Sequence, residues 1–187
     1  LNEVFDMNAR AAATVPGLTT YSSLGEVTWT RTSHDLDFRT GLDDAFMELY
    51  KRVVFAKRST LMRIDEVDFP RLGGGSLMGT SHILRVDDDD PGNFTLMNFG
   101  ERTSVAGGGN YLGKSLSSVP LPGFRRSVQD TYQVAKQNRR PLLSEIRTHQ
   151  GGRFSEYRRL VIPLTSHRHE VTDLLISCIS FAAPGPI

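Results

Sequence analysis

Apolar residues repeat with two different periods along this chain. Leu42, Ala45, Phe46, Leu49, Val53 and Ala56 fall at i, i+3, i+4, i+7, i+11 and i+14, a single stripe that predicts an amphipathic helix over 42–58. Thr40 suits its N-cap, and Asp43 and Asp44 sit in the first turn. Lys51, Arg52, Lys57 and Arg58 crowd the far end, so both ends carry the sign that the helix dipole favours. A second helix is predicted from about Phe124 to Asn138, with Phe124, Val128, Tyr132 and Ala135 on one face and Pro141 closing it.

The remaining apolar runs have strand character. Ser81 to Val86 and Phe94 to Phe99 predict two strands, and Asp87 to Asn93 (DDDDPGN) supplies the restricted and permissive backbone angles of a reversal between them. Leu142 to His149, Ser155 to Thr165 and Glu170 to Phe181 predict a closing meander, with loops at 150–152 and 166–169. Leu160 to Leu164 and VTDLLISCISF are apolar on both alternating faces, so both faces of this sheet should be covered. The second helix would cover one, and the 42–58 helix the other. Residues 1–40 read as an arm, partly irregular, with a short strand at Glu26 to Arg31. Asp68 to Gly75 is a loop, and Glu101 to Pro122 is irregular because Gly107 to Gly109, Pro120 and Pro122 interrupt it.

Composition bounds the rest. With 187 residues and 39% apolar content, the chain fits one domain with its own core and an extended arm. No run of 18 apolar residues marks a membrane span, and the first residues lack the pattern of a signal peptide. One cysteine, Cys178, forms no internal bridge and suggests a reducing, cytoplasmic setting. Lys and Arg number 22 against 21 Asp and Glu, a balance of +1 that argues against a dedicated nucleic-acid binder. The signs nonetheless segregate: residues 1–100 carry 10 basic and 15 acidic side chains, and residues 101–187 carry 12 and 6. Two regions of one domain that complement each other account for the split better than an anion-binding face does.

The order of predicted elements is helix, two strands, irregular linker, helix, three-strand meander. With the segments SHILRVDDDDPGNFTLMNFG, YLGKSLSSV, QNRRP and EYRRLVIPLTSHRHEVTDLLISC, the chain resembles a PAS domain of a divergent bacterial, mostly stand-alone family with an N-terminal helical extension. The late-strand signature of that family is Arg, apolar run, Pro, Leu, here Arg159 to Leu164. The resemblance covers about residues 42 to 182; 41–182 is the expected domain, 1–40 the arm and 183–187 a tail. It implies an α+β fold, a five-stranded antiparallel sheet with helices on one face and the N-terminal helix on the other. One departure is the last hairpin loop, where Ser166–His167–Arg168–His169 replaces an expected glycine.

Candidate chemistry is sparse. Gly108 to Ser115 (GGNYLGKS) satisfies the phosphate-loop pattern G-x-x-x-x-G-K-[ST], but a phosphate loop follows a buried strand and opens a long helix, and Pro120 and Pro122 arrive too soon. His167 and His169 form a turn pair, with His149 and Cys178 expected on neighbouring strands; a metal centre needs three or four convergent donors. The second helix carries no histidine for haem and the linker no cysteine for covalent flavin, so both cofactors are disfavoured. Cys178 lies in an apolar strand without a base beside it. Asp87 to Asp90 lacks the glycine and terminal glutamate of a calcium loop.

Arginines remain: Arg125, Arg126, Arg139, Arg140, Arg147, Arg158 and Arg159 lie near the second helix and the strands after it. Alternate strand residues share a face, so Tyr157 and Arg159 project together, and an arginine reaching under the helix would hold a carboxylate or phosphate in a two-pronged grip. Surface ion pairing is the simpler role for most of the set. The resulting expectation is a sensory or signalling domain without catalytic activity. Its ligand pocket would lie between sheet and helix, lined by Phe124, Val128, Tyr132, Tyr157, Arg159, Ile176 and Cys178. It would dimerise through the arm and Leu42, Phe46, Leu49 and Val53, acting on a partner protein because no output segment is recognisable. A scaffold without ligand, or a small enzyme using His149, Tyr157 and an acid, are the alternatives.

Overall fold

The computed structural model describes residues 18–23, 26–33, 49, 61–67, 78–90, 93–99, 111–120, 122–150, 153–166 and 170–180. Among the described residues the strands are β1 (Leu18–Ser23), β2 (Glu26–Ser33), β3 (Met62–Arg63), β4 (Ser81–Val86), β5 (Phe94–Phe99), β6 (Leu142–Gln150), β7 (Arg153–Thr165) and β8 (Asp173–Ser180), and the helix described along its length is α1 (Pro122–Asn138). They form one sheet in the order β1-β2-β6-β7-β8-β4-β5, and β3 pairs in parallel with the end of β7. All the other pairings are antiparallel.

The fold is α+β. Strands β4 to β8 are the five-stranded antiparallel, PAS-like sheet that the resemblance implies, with α1 packed on one face. The sheet is also larger than that expectation. β1 and β2 form a hairpin that extends it beyond β6, with Glu26 to Ser33 registered on Gln150 to Leu143. Residues 18–23 have no sustained apolar period, so the sequence pattern gives no sign of β1; pairing with β2 and contact with α1 stabilise it instead. Of the 42–58 helix only Leu49 lies within the described residues, and it is helical and buried. The Asp68 to Gly75 loop and residues 101–110 lie outside them.

Helix α1 starts at Pro122, two residues earlier than the periodicity suggests. Proline suits the first helical turn, where its missing N–H has no helical partner to lose. Its inward face is Gly123, Ser127, Val128, Thr131, Tyr132 and Ala135, more polar than the predicted stripe. The helix ends at Arg139, whose φ of 54° is left-handed and whose N–H donates to the Ala135 carbonyl at 2.9 Å.

Central β7 is buried on both sides. Val161 belongs to the core under α1, with Leu84, Phe94, Leu96, Val128, Tyr132, Leu142, Leu174 and Ile176. Leu160, Ile162 and Leu164 alternate with it, point the other way and are buried too, as are Leu143 and Leu175 beside them. Cover on both faces is therefore observed. The hairpin tip closes through Asn93 N–H to the Asp90 carbonyl at 2.8 Å and Asp87 N–H to the Asn93 carbonyl at 3.2 Å. Among the described residues no helix is long and apolar enough to cross a membrane.

A left-handed arginine is strained where glycine is not. Arg139→Gly is expected to stabilise the chain by about 0.5–1 kcal/mol in urea unfolding, after the added freedom of glycine in the unfolded chain is subtracted. An unchanged or lower midpoint would mean that the Arg139 side chain itself stabilises the turn.

Candidate functional site

Consecutive strand residues face opposite ways, and on β7 this sends two adjacent arginines to different environments. Arg158 points away from α1 and meets Glu145, its cross-strand partner on β6. Its Nε and Nη2 donate to the same Glu145 oxygen at 3.1 and 3.0 Å. Arg159 points under α1, with Ser144 on one side and Cys178 on the other in register. It is 2% exposed and is among the largest fully buried side chains described.

Arg158 is balanced and Arg159 is not. Among the described residues no carboxylate contacts the Arg159 guanidinium. Its Nη2 donates to Thr131 Oγ1 at a long 3.3 Å, its carbon lies 5.3 Å from the centre of the Tyr132 ring, and its Nε has no hydrogen-bond partner. A cation over an aromatic face is worth about 2 kcal/mol when desolvated, whereas removing the charge from water costs several kcal/mol.

The neighbours do not supply the missing charge. Burial alone would lower the Arg159 pKa, but interaction with Tyr132, Tyr157 and Cys178 outweighs it and moves the pKa up. Those groups act as counter-charges only when ionised. Burial pushes Tyr132 and Tyr157 well above the usual phenol range and the Cys178 thiol up to about 11. At neutral pH all three are uncharged. His82, on β4 opposite Ile176, also faces α1; burial first, and Arg159 second, depress its pKa to about 3, so it too is neutral. Among the described residues the result is one positive charge surrounded by neutral polar groups.

Of the pocket residues expected from sequence, Val128, Tyr132, Arg159 and Ile176 are buried in this layer. Phe124 and Cys178 are half-buried and pack against the same core. Tyr157 is half-buried on the same face, opposite Ile146. The structure adds His82, Thr131 and Ser144, which sequence reasoning missed. His82 needs the β4–β8 register, Ser144 the β6–β7 register and Thr131 the turn of α1, and none of these is a local pattern.

Other sequence candidates separate. His149 is exposed and, three residues from Ile146, lies on the opposite face to Tyr157, so the pair invoked for an enzyme does not converge. His149 and Cys178 are not on neighbouring strands either, since β7 runs between β6 and β8. His167 and His169 lie outside the described residues. In the phosphate-loop match, residues 108–110 also lie outside. The amides of Gly113 and Lys114 are already used, donating to the carbonyls of Leu96 and Tyr111 at 2.7 and 2.9 Å. Lys114 lies over the Tyr111 ring, and Ser115 caps a short 3-10 turn at 116–118 instead of opening a long helix. Elsewhere Arg125 donates to the carbonyls of Ser117 and Val119, and Arg147 pairs with Glu156.

Two measurements probe this charge balance. Arg159→Met in ligand-free protein should raise stability by about 1 kcal/mol or more, because the desolvation cost exceeds the cation–π gain. A loss of about 3 kcal/mol or more in denaturant unfolding would show that the charge is satisfied within the chain. His82 gives a pH test. Its folded pKa lies below the unfolded value near 6.5, so as pH falls from about 6.5 toward about 3 the unfolded chain takes up a proton that the native state does not. Stability should therefore decline with acidity, with His82 contributing up to about 1.4 kcal/mol per pH unit. Unfolding of His82→Asn at pH 7 and pH 5 should show a shallower loss than the parent; equal losses would mean that His82 takes up its proton in the folded state.

No family model matches the sequence, and no curated protein does. Among solved structures the chain is similar to one described as an RNA-binding Light-Oxygen-Voltage receptor, at 13% identity and a TM-score of 0.40 over 88% of this chain. It spans 40% of the length of that receptor chain.

Proposed function

We propose that this chain is a sensory or signalling domain that binds a small molecule between α1 and the sheet and transmits its occupancy to an interface, without catalysing a reaction. The observation that carries this reading is Arg159, a fully buried guanidinium with an unpartnered Nε and no carboxylate against it among the described residues. Buried charges persist where something pairs with them, and a ligand is the partner that a sensor would supply.

A route outward supports the same reading. Arg159 donates to Thr131 Oγ1, and that hydroxyl donates to the Ser127 carbonyl at 2.7 Å. The Ser127 hydroxyl in turn meets Thr30 Oγ1 of β2 at 2.8 Å, a buried contact between α1 and the arm hairpin. A change at Arg159 that moves α1 is thereby felt at β1 and β2. The interface that reads it out is placed at this arm and the 42–58 helix, in a homodimer or against a partner protein in the cytoplasm. Of the proposed contact residues Leu42, Phe46, Leu49 and Val53, Leu49 is already buried within the single chain, where it would anchor the helix and leave the contact to its neighbours.

Native mass spectrometry of protein purified from its own host tests this reading. A stoichiometric small molecule that is lost on denaturation is the expected result. Its absence across several growth conditions would favour a ligand-free interaction scaffold.

A further inference from the structure

The Arg159 site is specific enough to define a ligand class, and the inference rests on the sensing reading above. We propose that the site takes a small organic acid bearing a single carboxylate and an apolar body, with the carboxylate on the Nε–Nη2 side of Arg159 and the body against Tyr132, Val128 and Ile176.

Three observations lead there. The first is geometry. Nε and Nη2 form the side of a guanidinium that accepts a carboxylate in two parallel hydrogen bonds. Here Nε is unpartnered, and Nη2 makes a long 3.3 Å contact to Thr131 Oγ1, which an incoming carboxylate can replace. The second is charge count. His82, Tyr132, Tyr157 and Cys178 are all neutral at physiological pH, leaving a net charge of one at the site among the described residues. A monoanion cancels it, whereas a doubly charged phosphate ester would leave a buried negative charge in place of a positive one. The third is surroundings. Val128, Tyr132 and Ile176, at most 2% exposed, are apolar and aromatic side chains of the same layer as Arg159, so the part of the ligand that meets them is apolar.

The test uses the full chain at pH 7 and low salt, with acetate, hexanoate and benzoate as probes of increasing apolar body, benzamide as the uncharged match of benzoate, and inorganic phosphate. The readouts are calorimetric binding, unfolding temperature and the NMR signal of the Arg159 Nε–H group. The expected result is affinity that rises from acetate to the two larger acids, with the larger acids raising the unfolding temperature by about 5–10 °C at about a hundredfold excess over Kd. The Nε–H resonance should shift, and benzamide should be without effect. Arg159→Met should weaken the best acid by about 100-fold or more. Should that variant not fold, the Nε–H shift in the unaltered chain decides the matter alone.

The proposal is overturned if none of the three acids perturbs Nε–H, if benzamide binds as well as benzoate, or if phosphate binds in their place. A co-purified small molecule whose binding survives Arg159→Met would overturn the carboxylate class and leave the sensing reading standing. Neither a co-purified molecule nor any probe binding would remove both.

Discussion

One desolvated positive charge sets the terms for the rest of this structure. Strand β7 lies in the middle of the sheet and is buried on both faces, so no residue along Arg158 to Thr165 has a wet side to turn to. Adjacent arginines in such a strand must both be accommodated below the surface, one on each face. The sheet supplies Glu145 directly opposite Arg158, and that pair closes at hydrogen-bonding distance. Arg159 is opposite Ser144 and Cys178, neither of which carries charge at neutral pH. A Met or Leu at this position would fill similar space at lower cost. Among the described residues no carboxylate offsets that cost, and a bound anion would explain why the charge is kept.

The architecture around that charge connects it to the edge of the molecule. Helix α1 has an unusually polar inward face for a helix on a sheet, with Ser127 and Thr131 buried beside Val128, Tyr132 and Ala135. Each hydroxyl has a task. Thr131 touches Arg159, and Ser127 reaches across to Thr30 in the hairpin that extends the sheet. The same helix thus rests on the central strand and on the arm. A sheet of β4 to β8 alone would end at β6; with β1 and β2 added, α1 bridges the Arg159 layer and the strands added at the sheet edge. Tyr132 holds the helix down from the other side through an edge-on contact with Phe94 at 5.6 Å.

Much of the frame was legible in the sequence. The β4–β5 hairpin, α1 and the β6–β8 meander follow from periodicity and turn residues, with ends off by three residues or fewer. The both-face burial of β7 and β8 follows from apolar runs that fail to alternate. Arg159 and Tyr157 fall on one face by simple parity. β1 was not legible: Leu18 to Ser23 is polar and Thr- and Ser-rich, and it is a strand because β2 is beside it. The start of α1 was misplaced because Pro122 reads as a breaker in isolation and as a first helical residue in context. His82, Thr131 and Ser144 came to the site through strand register and helix phase. Neither is encoded within a window of sequence, because each depends on which distant residues pair.

The central claim is that the counter-charge of Arg159 comes from outside the chain. A high-resolution crystal structure of the protein purified from its own host addresses this most directly. The account predicts a non-protein anion within about 3 Å of Arg159 Nε, in a two-pronged contact that includes Nη2. An Asp or Glu side chain of this protein seated on Nε, in place of any ligand, would contradict it.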